Sequence, residues 1–432
     1  MRSGMDCPAA VAMQQGAAAE QVASAHVGIA ALRVGVASVL SRVPWRPSGR
    51  AGPMAAESSM RLIHTSDWQL GKPFGRIGEE ARLALGEARL DAIDTIAALA
   101  RRESAPFVLV AGDVFDNPEP GDRVYRQALS RMKAAADIVW MLLPGNHDPA
   151  RPDGIWTRLL ADVPDNVRPC LEPKPVPLGD DAWLLPAPLV FKRSLDDPTA
   201  WFDGAETPPG ALRIGLAHGP VREFGGEGAA NLLAADRARR AGLAYLALGD
   251  WHGHLAVGPA THYSGTPEPD DFGRTATGLV LGVELAGPAA PPRIVEHRTA
   301  RYDWIAADWH ISGSDDLAAR LDGLAAASAL AGLVVRLRIA GRVSLAERVA
   351  IRDRLENGVA HELRWLDLDL SELQARPTEG DLAEIDLNGV LRDAAERLQA
   401  IAEEGGGQAR LASAALERLY VEHQRARRRG GA

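Results

Sequence analysis

The sequence predicts an α/β fold, and three observations carry that prediction. Short apolar runs ending in polar loops alternate with stretches of helical spacing between Arg61 and Asp148. The same strand-then-loop design returns at 211–219 and 243–254. Each of these loops opens on an acid, an amide or an imidazole. Alternating strands and helices favour parallel sheets with helical crossovers, whose sites form beyond the strands' carboxyl ends.

The elements follow in order. "RLIHTSD" (61–67) reads as a strand entering a loop. Residues 79–103 place Leu83, Leu90, Ile93, Ile96, Ala97 and Leu99 at helical spacing. "FVLVAGD" (107–113) is a buried strand ending at Gly-Asp, residues 122–135 form a second helix, and "IVWMLLPGNHD" (138–148) is a third strand. "ALRIGLAHG" (211–219) ends at His218, and "LAYLALGDWHGH" (243–254) ends at Asp250, His252 and His254. "HYSGTPEPDDFG" (262–273) follows as a loop, and "GPAAPP" (287–292) marks a break.

A second unit begins near Arg301. The alternating runs 330–343 and 361–370 flank a helix that Ser344 can cap, giving a small βαβ module. Two amphipathic helices are expected at 386–403 and 408–425, separated by "GGG" (405–407). The basic tail with Arg425, Arg427, Arg428 and Arg429 is expected to be mobile. The boundaries are therefore a leader at 1–59, a main domain at 60–290, a small α/β domain at 300–378 and C-terminal helices at 384–432.

Composition narrows the function classes. The 432 residues exceed one ordinary domain. A net charge of −9 excludes a generally basic nucleic-acid coat but leaves room for a local, metal-mediated phosphate site. Cys7 and Cys170 alone cannot build a disulfide framework or a thiolate metal site, which suits a reducing cytoplasm. No run reaches the roughly 18 apolar residues of a membrane span. Residues 1–59 are rich in Ala, Gly and Ser, and are expected to be a disordered leader or sequence upstream of a start at Met60.

The loop residues form a constellation. Asp67 with Gln69; Asp113; Asn146, His147 and Asp148; His218; and Asp250 with His252 and His254 lie at five strand ends. Singly, each has an ordinary reading as a turn acid or a packed histidine. Together, several carboxylates on one sheet edge repel one another unless cations neutralise them. Carboxylate, amide and imidazole donors suit Mn²⁺, Fe²⁺, Mg²⁺ or Zn²⁺. Asp113 can bridge two ions about 3.5–4 Å apart.

These residues resemble the calcineurin-like metallophosphoesterases through "SDWQ", "AGDVFDN", "PGNHD", "AHG" and "GDWHGH". "HTSDWQLGK", "GDVFD" and "SGTPEPDDF" resemble the DNA-repair exonuclease branch of SbcD type, over about residues 61–275. The resemblance implies a four-layer α/β/β/α sandwich with a small α/β cap that helps hold DNA, and C-terminal helices. It implies two divalent cations and a DNA exonuclease that works as a dimer with an SMC-like ATPase subunit bearing a coiled coil. Its two rivals are a phosphoesterase on nucleotides or other small phosphoesters, and a catalytically weak scaffold that binds DNA ends.

By the same resemblance, one cation would meet Asp67, Gln69, Asp113 and His252, and the other Asp113, Asn146, His218 and Asp250. His147 would protonate the leaving oxygen or steady the phosphate, and Asp148 would hold its imidazole. Gln69 and Asp250 stand where the family has histidines. That shift towards oxygen ligation favours Mn²⁺ or Mg²⁺ over Zn²⁺, with Fe²⁺ also suited. A shifted register would make His254 the alternate ligand and move Asp250 behind it. Trp68, Lys72 and Trp251 are candidate substrate contacts, against the plainer roles of packing and solvated charge.

Overall fold

The computed structural model describes residues 59–222, 230–273, 276–375, 378, 389–404 and 406–430. The expected leader up to residue 58, Cys7, Gly405 and the start of the 386–403 helix with Leu387 lie outside the described residues. The described residues fall into two compact units. The first comprises those within Met1–Pro73, Gly86–Glu268 and Arg274–Ala300; the second comprises those within Phe74–Leu85, Pro269–Gly273 and Arg301–Ala432.

The first unit is built on two sheets. β1 (Met60–Thr65), β2 (Phe107–Val110), β3 (Val139–Leu142) and β4 (Val167–Pro169) lie side by side in parallel. The second sheet holds β5 (Val176–Pro177), β6 (Ala182–Ala187), β7 (Leu212–His218), β8 (Tyr245–Gly249), β9 (Leu255–Gly258) and β10 (Thr261–Tyr263), in the order β5-β6-β7-β8-β10-β9. β11 (Leu279–Leu285) and β12 (Arg293–Arg298) complete the first sheet antiparallel to β1, in the order β12-β11-β1-β2-β3-β4.

Both sheets are mixed, whereas the sequence pattern predicted parallel strands alone. The departures are hairpin partners whose short connections cannot hold a crossover helix. Leu62, Leu109 and Met141 of the first sheet share one buried core with Leu184, Ile214 and Tyr245 of the second. The first sheet's outer face packs on α1 (Glu79–Arg102), α2 (Asp122–Ala134) and α3 (Ile155–Asp162), through Leu90, Ile93, Leu129, Met132, Trp156 and Leu159. The second sheet's outer face carries a thinner layer, the single turn α4 (Arg237–Arg240) and a 3₁₀ turn at Ala200–Gly204, with Phe202 and Ala238 buried. The layers are helix, sheet, sheet, helix.

The second unit has a four-stranded parallel sheet of β13 (Asp303–Ile311), β14 (Leu333–Val343), β15 (Trp365–Asp369) and β16 (Leu373–Ala375). α5 (Ser314–Ala327) crosses from β13 to β14. Ser344 starts α6 (Leu345–Arg354) with a capping box: its hydroxyl accepts from Glu347 N while the Glu347 carboxylate accepts from Ser344 N. α7 (Val390–Glu404) and α8 (Ala409–Gly430) pack on α6 through Ala395, Leu416, Tyr420 and Leu345. The basic tail is not a loose end, because α8 carries Arg425, Arg427 and Arg429 in helix. Nothing between Gln408 and Arg429 breaks a helix. No helix among the described residues is long and apolar enough to cross a membrane.

Candidate metal centre

The site lies where parallel strands stop. β1, β2 and β3 run in parallel and release Asp67, Asp113 and the 146–148 turn from the same edge; β7 and β8 deliver His218, Asp250 and His252 from theirs. Asp67, Gln69, Asp113 and Asp250 have left-handed backbones, with φ of 53°, 43°, 53° and 100°. Asp tolerates that region better than most side chains. Backbone bonds from Asp67 N to Gly112 O (3.1 Å) and Gln69 N to Asp113 O (2.9 Å) tie the first two turns together. Gly112, at φ +89°, is required there, since a Cβ would fall 2.2 Å from His218 Nδ1.

One ligand atom from each of Asp67, Asp113 and His218 lies within 4.8 Å of the other two, all buried. His218 Nε2 is 3.5 Å from Asp113 Oδ1 and 3.8 Å from Asp250 Oδ1. His252 Nε2 is 3.8 Å from Asp67 Oδ1. Asn146 Nδ2 donates to Asp250 Oδ1 at 3.0 Å. His147 Nε2 lies 3.9 Å from Asp113 Oδ2, and its Nδ1 is 2.8 Å from the Asp116 carbonyl.

Two buried atoms in this cluster have no hydrogen-bond partner, His218 Nε2 and Asn146 Oδ1. The Ala111 carbonyl, 2.8 Å from His218 Nδ1, fixes the proton there and points the Nε2 lone pair of the neutral ring at the acids. Buried polar atoms normally find partners, so this pair signals a missing one. Oxygen and imidazole donors that converge with two orphaned atoms fit a hard or borderline divalent cation. Burial opposes charging of His218, yet Asp113, Asp67 and Asp250 together push its pKa up to about 9. Burial, reinforced by Asp67 and Asp113, raises the Asp250 carboxyl against the pull of His218. The site's own charge thus demands a cation or a proton.

Four expectations change. Gln69 does not present a free amide oxygen, because Lys72 Nζ donates to its Oε1 at 2.6 Å and its Nε2 sits 3.3 Å from His252 Nε2. Lys72 is therefore engaged inside the site instead of waiting for substrate. Asp148 does not hold the His147 imidazole, since its oxygens accept from Gly145 N (2.7 Å) and Phe115 N (3.0 Å). Trp68 is a core residue, 1% exposed, donating to Thr65 Oγ1 and packed edge-on against Trp140. His254 bonds Glu296 through Nδ1 (2.7 Å) and stacks on His262, so Asp250 and His252 reach the cluster and His254 does not. Trp251 is 50% exposed between two site residues.

Other contributors were missed. Ser66 Oγ donates to Asp67 Oδ2 at 2.6 Å and receives a bond from Ser264 Oγ at 3.0 Å. Its place beside Asp67 was the only signal. Buried Arg89 on α1 ties Trp68 O (2.6 Å) to Glu268 O (3.2 Å), and nothing in its local sequence marks it.

Residues 60–254 match the family of calcineurin-like phosphoesterases. The chain is similar to the SbcD component of the nuclease SbcCD from Bacillus subtilis (30% identical over 92 residues, 21% of this chain and 22% of that protein). It is also similar to the SbcD component of the nuclease SbcCD from Rhodobacter capsulatus (28% over 286 residues, 54% of this chain and 69% of that protein). The chain thus spans about a fifth of the first relative's length and 69% of the second's. Among solved structures it is similar to TT1561 of Thermus thermophilus (TM-score 0.37, 12% identity, 56% of this chain and 100% of that one). Another is a dimetal phosphatase from Danio rerio (TM-score 0.34, 10% identity, 54% and 98%). Through residues 60–254 the chain belongs to the calcineurin-like metallophosphoesterases, with distant homology to SbcD nuclease subunits.

Proposed function

We propose that this protein is a metal-dependent DNA exonuclease that hydrolyses phosphodiester bonds, with Mn²⁺ as its preferred ion. The observation that carries the reading is the buried Asp67–Asp113–His218 cluster with its two orphaned donor atoms. Asp67, Asp113, Asn146, His218, Asp250 and His252 would hold two cations. Bound divalent ions supply charge neutralisation at the phosphate and a water deprotonated near neutral pH.

The protein's own groups do the rest. Asp116 O anchors His147 Nδ1, so Nε2 faces the cluster's open side, where a charged imidazole can donate to the departing oxygen. Trp251, half exposed beside Asp250, offers a face for a base. Similarity to the SbcD components of two SbcCD nucleases supports DNA as substrate and an SMC-like ATPase as partner of a dimeric chain.

Degradation of end-labelled duplex DNA with Mn²⁺ tests the reading. The wild-type protein should shorten the duplex from its ends, and Asp113→Ala should not. Hydrolysis of nucleotide monoesters with intact duplex would instead indicate a small-substrate phosphoesterase. Inactivity on both with metal bound would indicate the scaffold.

A further inference from the structure

We propose that the two cation positions load unequally: the one beside His218 and Asn146 fills tightly, and the one beside Gln69 and His252 stays weak because Lys72 and Gln69 engage its donors. The inference rests on the metallophosphoesterase reading and concerns how that site takes its ions.

The asymmetry lies in which atoms have partners. On one side, His218 Nε2 and Asn146 Oδ1 are buried with none. A cation arriving there gains two donors without breaking an existing bond. On the other side, Lys72 Nζ holds Gln69 Oε1 at 2.6 Å, and the Gln69 amide nitrogen lies 3.3 Å from His252 Nε2. Asp67 Oδ2 already accepts from Ser66 Oγ at 2.6 Å, and both its oxygens lie 3.2 Å from Asp250 N.

The Lys72 contact also fixes the amide's orientation. Only the oxygen can accept from an ammonium, so the nitrogen must face His252. A cation seated here must separate Gln69 from Lys72, draw His252 Nε2 away from the amide, and tolerate a nearby positive charge. At short range that repulsion amounts to several kcal/mol less attraction only where solvent is excluded, and Gln69 is 2% exposed. In effect the ammonium and amide stand in for part of the charge and hydrogen bonding of a second ion.

The test uses the full chain equilibrated with Mn²⁺, desalted, and measured for manganese per chain, with electron paramagnetic resonance of the same samples. Wild type should retain one Mn²⁺ with the signal of an isolated ion. In titrations its second Mn²⁺ should bind more weakly by roughly 10- to 100-fold, the scale on which disturbed ligand shells alter affinity. Lys72→Met should tighten the second ion and bring in the signal of a coupled pair, and Lys72→Arg should not. Gln69→His, which removes the amide without touching the lysine, should do the same as Lys72→Met and covers the case in which that variant fails to fold. Two equally tight ions in wild type, or a second site unmoved in both folded variants, would overturn the proposal while leaving the phosphoesterase reading standing. Wild type that retains no Mn²⁺ would overturn both.

Discussion

Gly145 runs so close to Asp113 that a Cβ on it would lie 2.1 Å from Asp113 Oδ1 and 2.4 Å from Asp113 N. The glycine is what lets the turn after β3 press against the carboxylate at the centre of the cluster. Gly145→Ala should therefore displace Asp113 and cost about 1–3 kcal/mol, the usual range for overpacking. Metal content after Mn²⁺ loading should fall together with Tm. A variant with full metal content and an unchanged Tm would show that the turn can yield.

His147 touches the cluster from its exposed side and shares no buried bond with it beyond its backbone N–H to Asp113 Oδ1 at 2.9 Å. A side-chain truncation keeps that backbone bond. His147→Ala should leave Mn²⁺ retention intact and lower turnover on duplex DNA by about 10²- to 10⁴-fold, the range for general acid catalysis. Steady-state rates and metal analysis on one preparation decide it, and a full wild-type rate would remove the acid role.

Asp148 is a structural clamp between the turns after β2 and β3. Its pKa lies well above the usual carboxylate range, because burial and then Asp113 disfavour its charge despite two backbone N–H bonds. Asp148→Asn keeps one acceptor but turns an NH₂ towards the second N–H, at a cost of about 1–3 kcal/mol. Thermal melts should show the loss. A shifted pH–rate profile at unchanged Tm would restore Asp148 as the partner of the imidazole.

His64 offers a pH test away from the metal donors. Its Nδ1 meets Tyr245 OH at 2.8 Å and its Nε2 the Leu248 carbonyl at 3.2 Å. Burial, with help from His262, lowers its pKa from 6.5 to about 3. The unfolded chain therefore binds a proton that the folded one refuses. The stabilisation is complete above pH 6.5 and is lost as pH falls towards 3, at up to about 1.4 kcal/mol per pH unit. Melts between pH 7 and pH 4 should show a falling Tm, with a shallower slope in His64→Gln. Equal slopes would assign the acid sensitivity elsewhere.

What the sequence revealed, and what it hid, follows from range. Asp67, Asp113 and His218 were legible because each sits just beyond or at the end of an apolar run, and parallel pairing of those runs forces them to one edge. The helix cap at Ser344 was legible because Glu347 stands three residues on. The partner of Asp148 was not, since Phe115 lies 33 residues away and its N–H leaves no trace in composition. Trp68 looked exposed because it neighbours a polar turn, but the left-handed backbones at Asp67 and Gln69 turn its indole inward to Trp140. The grip of Lys72 on Gln69 spans three residues and was still hidden, because it depends on the curl of that turn.

The left-handed turns at Asp67, Gln69, Asp113 and Asp250 have one more consequence. Such conformations cost on the order of 1–3 kcal/mol each and persist only where surrounding structure enforces them. Here the enforcement comes from bonds between the turns themselves, such as Gln69 N to Asp113 O, and needs no ion. The cradle is thus cast before its contents arrive. Ion uptake is a matter of filling a mould, with side chains adjusting while the main chain stays put, so amide hydrogen exchange at these turns should be nearly the same before and after Mn²⁺ is added.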